Sequence, residues 1–263
     1  MAFANLDTYG GGSGRTGSKY LKIVTGVPSV IIIMDEHPDL VGKHWITDGT
    51  GRKIGLRCPG QDICPICQRN REINYNRDHP DYIQLQRRYR LNVLDLTPVI
   101  RCPECVAAYP ATGDTSRLVC TNDTCGAQLG NIESEPLKEV KILERGRRLM
   151  EQFNALESTP HPFTGKAEKL QTYPIMLVAT GSGRDMVITA IPQAMSDENL
   201  DSYEKLDLQS GLILEPEEIK YLIEGGSYND VLSARRAQTQ TPRESTAAET
   251  LANNPLASED IPF

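Results

Sequence analysis

The sequence has no long apolar run: its longest, Val30 to Met34, has the length of a strand and is far too short to cross a membrane. It opens without the basic start and apolar stretch of a secretory leader, so the expected location is the cytoplasm, with no membrane partner. Aromatics are scarce, with one Trp and four Phe, and there are only four His. No G-x-S-x-G, H-E-x-x-H or Walker pattern occurs, which leaves the common hydrolase and nucleotidase chemistries without a motif. The stretch Gly12 to Gly17, GSGRTG, has dinucleotide-loop spacing. No strand precedes it and no helix clearly follows, so it fails the context that motif needs. Basic charge is short overall. The net charge of −7 argues against nonspecific nucleic-acid binding by the chain as a whole.

What is present is mostly strand signal. Residues 1–18 read as a flexible Gly-rich arm. From Lys19 the chain turns β-branched, and KYLKIVTGVPSVIIIMDE reads as a bent strand or hairpin. KHWITDGTGRKIGLRC reads as two strands around Asp48-Gly49-Thr50-Gly51. Residues 87–96 alternate Tyr89, Leu91 and Val93 against Arg88, Arg90 and Asn92, which predicts a half-buried strand with a basic outer face. Residues 137–156 predict a strand followed by a helix, and 173–192 predict a hairpin. Residues 196–232 form an acidic segment expected to be helical, with a helix from Glu215 ended by Gly225. Residues 233–263 carry almost no large apolar side chains and are expected to stay unstructured. Many short strands and few helices predict a mainly β (α+β) protein built on a small barrel over 19–195.

Seven cysteines in a chain expected to stay reduced point to metal rather than disulfides. All seven fall in two stretches. Cys102-x2-Cys105 and Cys120-x4-Cys125, fourteen residues apart, have zinc-ribbon spacing inside an insertion at 101–131. Cys58, Cys64 and Cys67 need one more donor for a tetrahedral site. His44 is the first choice because it precedes a predicted strand; His37 and His79, each followed by Pro, are the alternatives. Four protein ligands leave no open position for water, so two structural zinc ions are expected, and no enzyme. A zinc deaminase would need His-x-Glu, which is absent, and a Pro before Cys64, where Ile63 stands.

Arginines interleave with tyrosines from Arg71 to Arg90, and the only Trp, Trp45, sits beside His44. Cations that track phosphates, together with rings on which bases stack, are the ingredients of a single-strand groove. The candidate set is Trp45, Lys53, Arg57, Tyr75, Arg87, Arg88, Tyr89 and Arg90.

The run GKHWITDG…RCPGQDICPICQ…RRYRLNVLDL resembles tailed-phage single-stranded DNA-binding proteins of the helix-destabilising type. The opening YGGGSGRTGSKYLKIVTG and the segment VKILERGRRLMEQFNAL also look like that family, and the likeness covers most of residues 10–195. The resemblance implies an OB-fold barrel whose zinc subdomain, 44–67, is held by His44, Cys58, Cys64 and Cys67. It implies that Arg88 and Arg90 line the DNA groove, with Tyr89 as a stacking ring. The Cys102–Cys125 ribbon is extra to that pattern. The end of the chain, ASEDIPF, is similar to the tips of bacterial single-stranded DNA-binding proteins. That likeness implies that Glu259, Asp260, Ile261, Pro262 and Phe263 recruit replication, recombination or repair proteins, with Phe263 filling an apolar pocket. The expected function is to coat single-stranded DNA in the host bacterial cytoplasm during phage replication or recombination. The alternative is a transcription or replication factor that docks through its zinc ribbon.

Overall fold

The computed structural model describes residues 18–105, 107–111, 119–120, 125–130, 132–182, 185–210 and 212–240. The Gly-rich arm, apart from Ser18, and the Glu259–Phe263 tip lie outside them. The described chain is mainly β, with antiparallel pairing between its strands. Among the described residues no helix is long and apolar enough to cross a membrane.

Among the described residues ten strands form: β1 (Ser29–Ile33), β2 (Asp39–Thr47), β3 (Lys53–Arg57), β4 (Leu85–Asp95), β5 (Pro98–Arg101), β6 (Ala108–Pro110), β7 (Glu135–Pro136), β8 (Glu139–Arg145), β9 (Ile175–Thr180) and β10 (Val187–Pro192). The helices are α1 (Pro65–Glu72), α2 (Arg147–Ser158), α3 (Pro216–Ile223) and α4 (Tyr228–Gln240). A seven-stranded sheet runs β10-β9-β1-β4-β2-β3, with β8 paired to β4 off this path. Its end strands β10 and β3 are not paired with each other, and the expected barrel is not closed. The three predicted hairpin and strand–helix segments form where the periodicity put them: β2–β3, β8–α2 and β9–β10.

The chain divides into two compact units. Of the described residues, the first takes those up to Lys43 and those of Leu85–Ile213; the second takes those of His44–Gln84 and those from Leu214 onward. This differs from a linear reading in two ways. The cysteine segment 44–67 leaves the 19–195 domain for a unit it shares with the last helices, and residues 196–213 join the first unit.

In the first unit, Ile31 and Ile33 of β1 meet Leu91 and Val93 of β4, Leu143 of β8, Phe153 of α2 and Ile175 of β9 in one buried cluster. Ile32, Met34 and Leu94 point to the opposite face and are covered in turn by Leu200 and Tyr203. The run VIIIM is continuous rather than alternating because both faces of β1 are buried. The cover on the second face is the acidic segment, and it is not the helix that was expected. Among the described residues between Ser196 and Glu215, only Leu200–Ser202 makes a helical turn, and the others are irregular. It has no apolar stripe to bury and docks through polar contacts instead. The Leu206 N–H donates to Asn92 Oδ1 at 2.9 Å, Asn92 Nδ2 donates to the Leu206 carbonyl at 3.1 Å, and Lys205 pairs with Asp35 at 3.0 Å.

In the second unit, Ile46 of β2, Ile54 and Leu56 of β3, Ile66 of α1, Ile219 and Leu222 of α3 and Val231 of α4 are buried. Pro216 starts α3 behind a capping box in which the Glu215 and Glu218 side chains and backbones pair reciprocally. Gly225, at φ +96, ends it as predicted. Helix α4 then reaches Gln240, eight residues into the stretch expected to be unstructured. Its Arg235 pairs with Glu218 of α3. That pair and the burial of Val231 supply what composition alone lacked.

Candidate functional site

The hairpin β2–β3 builds the first site. Burial alternates along β2, so His44 and Ile46 point inward and Trp45 outward. Cys58 follows β3 directly, and Cys64 N-caps α1, with Pro65 in its first turn. The Cys64 N–H donates to the Gly60 carbonyl at 2.9 Å, which closes the turn that carries the Cys pair. The ligand atoms of His44, Cys58, Cys64 and Cys67 all lie within 4.8 Å of one another. Cys67 Sγ stands 3.3 Å from His44 Nε2 and 3.7 Å from Cys58 Sγ. His37 is exposed and His79 is engaged with Asp81, so neither alternative joins the cluster.

The electrostatics of this quartet are those of a cation site. The hydrogen bond from Cys58 is foremost in pulling the Cys64 thiol down to about 4, against burial and with help from His44. The same hydrogen bond pushes the Cys58 thiol far up. Burial, then the charge on Cys64, raises the Cys67 thiol to about 11. Three sulfurs therefore compete for one stable negative charge, and a bound cation is what stabilises thiolates on all three.

The second cluster sits on the three-stranded sheet β6-β5-β7. Cys102 and Cys125 approach to 3.5 Å, and Cys105 and Cys120 to 3.4 Å. A disulfide would place the sulfurs about 2.05 Å apart, so both pairs are thiols converging on a common point. Ile100, Tyr109 and Leu129 form a small core with the buried cysteines, and the Tyr109 hydroxyl lies 3.1 Å from Cys120 Sγ. Both cysteine clusters have the donors and the spacing to hold a metal ion.

The eight residues read as a nucleic-acid set divide between the two units. In the second unit, Lys53 Nζ lies 5.9 Å from the centre of the Trp45 ring, which is 38% exposed. Lys53 and Arg57 share the outer face of β3, opposite buried Ile54 and Leu56. Tyr75, in the turn after α1, is 52% exposed at φ +54. In the first unit, Arg87 is exposed and Arg88 half-buried, but the other two depart from expectation. Tyr89 packs against the core with Leu91 and lines a cavity of about 310 Å³ beside α2, so it is no stacking ring on the basic face. Arg90 is only 5% exposed. Its Nε and Nη2 pair with Glu144 at 3.0 and 2.9 Å, and its Nη1 donates to the carbonyls of Leu208 and Ser210. The sequence alternation placed Arg90 correctly on the face opposite Leu91. It missed that the segment 203–210 covers that face.

Asp48 is a structural residue that the sequence reading treated only as part of a turn. Its Oδ1 accepts from the Thr50 N–H and hydroxyl and from the Arg52 N–H, at 3.0, 2.6 and 2.9 Å. Its Oδ2 accepts from the Tyr228 N–H at 3.2 Å, so one carboxylate closes the β2–β3 turn and caps the start of α4. Gly49 is required beside it, because a Cβ there would stand 1.8 Å from the Gly225 carbonyl oxygen. The Thr50 hydroxyl is foremost in holding the Asp48 carboxyl below the ordinary aspartate range, against burial. A lowered carboxyl contributes stability that is present above its unfolded value, about 3.9, and is lost as pH falls through the folded value. Melting temperature followed from pH 6 down to pH 3 is expected to fall less steeply in Asp48→Asn than in the parent, from a lower starting point. Parallel curves would show that Asp48 carries no pH-linked stability.

No protein-family model matches the chain, and no curated protein is significantly similar to it.

Proposed function

We propose that this chain is a zinc-clamped, non-enzymatic protein that binds single-stranded DNA, as the phage helix-destabilising proteins it resembles do. The observation that carries the reading is the hairpin β2–β3. Its inner face supplies His44 to a four-donor metal cluster, and its outer face presents Trp45 beside Lys53 and Arg57. A metal that fixes the strand on one side makes a rigid stacking platform on the other.

Zinc fits the donors. Zn–S bonds of about 2.3 Å in a tetrahedron place sulfurs about 3.8 Å apart, and the closest sulfurs here are 3.4 to 3.7 Å apart. His44, Cys58, Cys64 and Cys67 would hold one ion; Cys102, Cys105, Cys120 and Cys125 would hold the other. Bound there, zinc supplies structure, because four protein donors complete its shell. The Glu259–Phe263 tip enters the proposal as the partner-recruiting segment by resemblance alone.

The test is anisotropy of a labelled oligothymidine across a salt series, with duplex of equal length as competitor. The parent is expected to bind tightly and salt-dependently, without displacement by duplex. Trp45→Ala is expected to weaken binding about 10- to 100-fold, the equivalent of one stacked base, with an unchanged melting temperature. Equal preference for duplex, or an indifferent Trp45→Ala, would sink the single-strand reading. The weight would then move to a docking factor that works through the cysteine ribbon, whose separate sheet and core already make it a module.

A further inference from the structure

The cavity beside α2, inside the first unit, has two kinds of wall. Its floor is apolar: Ile33 and Leu91 from the sheet, Met150 and Phe153 from α2, and Leu170, all of them buried. Its mouth is acidic. Asp35 and Glu36, just after β1, line it together with Glu151 and Glu157 of α2, and among the described residues that line it Arg147 is the one cation. Three of the four acids have partners within the unit. Lys205 stands 3.0 Å from Asp35, Lys169 3.6 Å from Glu36 and Arg147 2.7 Å from Glu151. The last two pairs are exposed on both sides, so they are weak and open to exchange. Glu157 makes no hydrogen bond or ion pair among the described residues. It lies in the last turn of α2, where no basic residue offsets the negative end of the helix dipole.

An apolar floor under a negative mouth selects its occupant by both properties. A phosphate backbone is repelled there, and so is the chain's own acidic tip. A small amine meets only part of the charge. Glu151 and Glu157 are six residues apart, about 9 Å along the helix axis, and Asp35 and Glu36 come from a different stretch of chain. One ammonium group cannot lie close to all of them, and the attraction falls with distance. The mouth fits several cations set around one apolar group. We infer that this cavity is the docking site for a basic peptide segment of a partner protein. One large apolar side chain of that segment enters the cavity, and lysines or arginines on either side of it meet the mouth. The buried anchor supplies the affinity, and the charges supply the approach and the register. The inference does not rest on the single-strand reading. It gives the first unit a protein partner at a site that repels nucleic acid.

The probe is a fluorescein-labelled peptide, GKKFKKG, titrated with the full chain and followed by anisotropy. It is expected to bind saturably. Alanine in place of its phenylalanine is expected to weaken binding at least about 10-fold, the effect of one aromatic anchor left unburied. Glutamates in place of its lysines should abolish binding. Glu157→Lys is expected to weaken it about 5- to 10-fold, since one attractive contact becomes repulsive. Asn154→Trp, which sets a ring at the mouth, should abolish it. Glu133→Lys makes the same change to the net charge at an exposed position outside the cavity, and is expected to alter affinity by less than about 2-fold. If Asn154→Trp does not fold, Glu157→Lys decides, because that side chain holds nothing within the unit. Equal affinity for the alanine peptide, equal losses in Glu157→Lys and Glu133→Lys, or no saturable binding would overturn the docking site. Phenethylammonium binding as tightly as the peptide would overturn it in favour of a small amine. Displacement of the peptide by oligothymidine would overturn it in favour of a nucleic-acid face.

Discussion

Replacing Cys64 with serine is expected to unfold the second unit and cut the metal content from two ions per chain to one. Cys64 is fully buried and N-caps α1. Structural zinc binding is worth on the order of 10 kcal/mol in small metal domains, as much as the whole stability of a typical domain. Chelation of the parent should produce the same loss of far-ultraviolet signal, and zinc should restore it in the parent alone. His44→Ala should behave like Cys64→Ser. A His44 variant that keeps its fold and both ions would remove His44 from the cluster and reopen the assignment of its fourth ligand.

Replacing Arg90 with methionine is expected to cost about 3–5 kcal/mol of stability, the usual result of removing one partner from a buried ion pair. The change strands the Leu208 and Ser210 carbonyls and leaves Glu144 with Lys43 alone. Burial works against ionisation of Glu144, yet Lys43 and Arg90 hold its carboxyl below the ordinary range, so the network is strongly bound as it stands. The midpoint of urea unfolding measures the loss. Affinity for oligothymidine, taken at a temperature where the variant is folded, should change little. A large loss of affinity at unchanged stability would return Arg90 to the binding surface, where the family resemblance had put it.

How much of this was legible in the sequence depends on how local each signal is. The cysteine clusters were legible because ligand spacing is local and four donors are required. The hairpins were legible because β-branched runs flank Gly-rich turns. The later part of helix α4 was not, since its Arg235 is held by Glu218 of α3, a partner that the tail's own composition does not reveal. The cover over β4 was not legible either. Residues 203–210 have no periodicity of their own, and they dock by side-chain amides on Asn92 and a guanidinium on Arg90. One trace of it was present: the unbroken apolar run Val30–Met34 belongs to a strand buried on both faces, and a half-solvated barrel strand would have alternated.

The second unit is assembled from two pieces of chain, and this gives its birth on the ribosome an order. His44, Cys58, Cys64 and Cys67 are all made early, but α1 packs against α3, which starts only at Pro216. At ordinary synthesis rates that interval is on the order of ten seconds. Throughout it, the hairpin and α1 must hold together with their apolar underside uncovered. Metal captured by the nascent cluster is what would keep Ile54, Leu56 and Ile66 in place until their cover arrives. Metal supply during translation, more than the finished protein's affinity for it, would then set how much correctly folded chain a cell obtains.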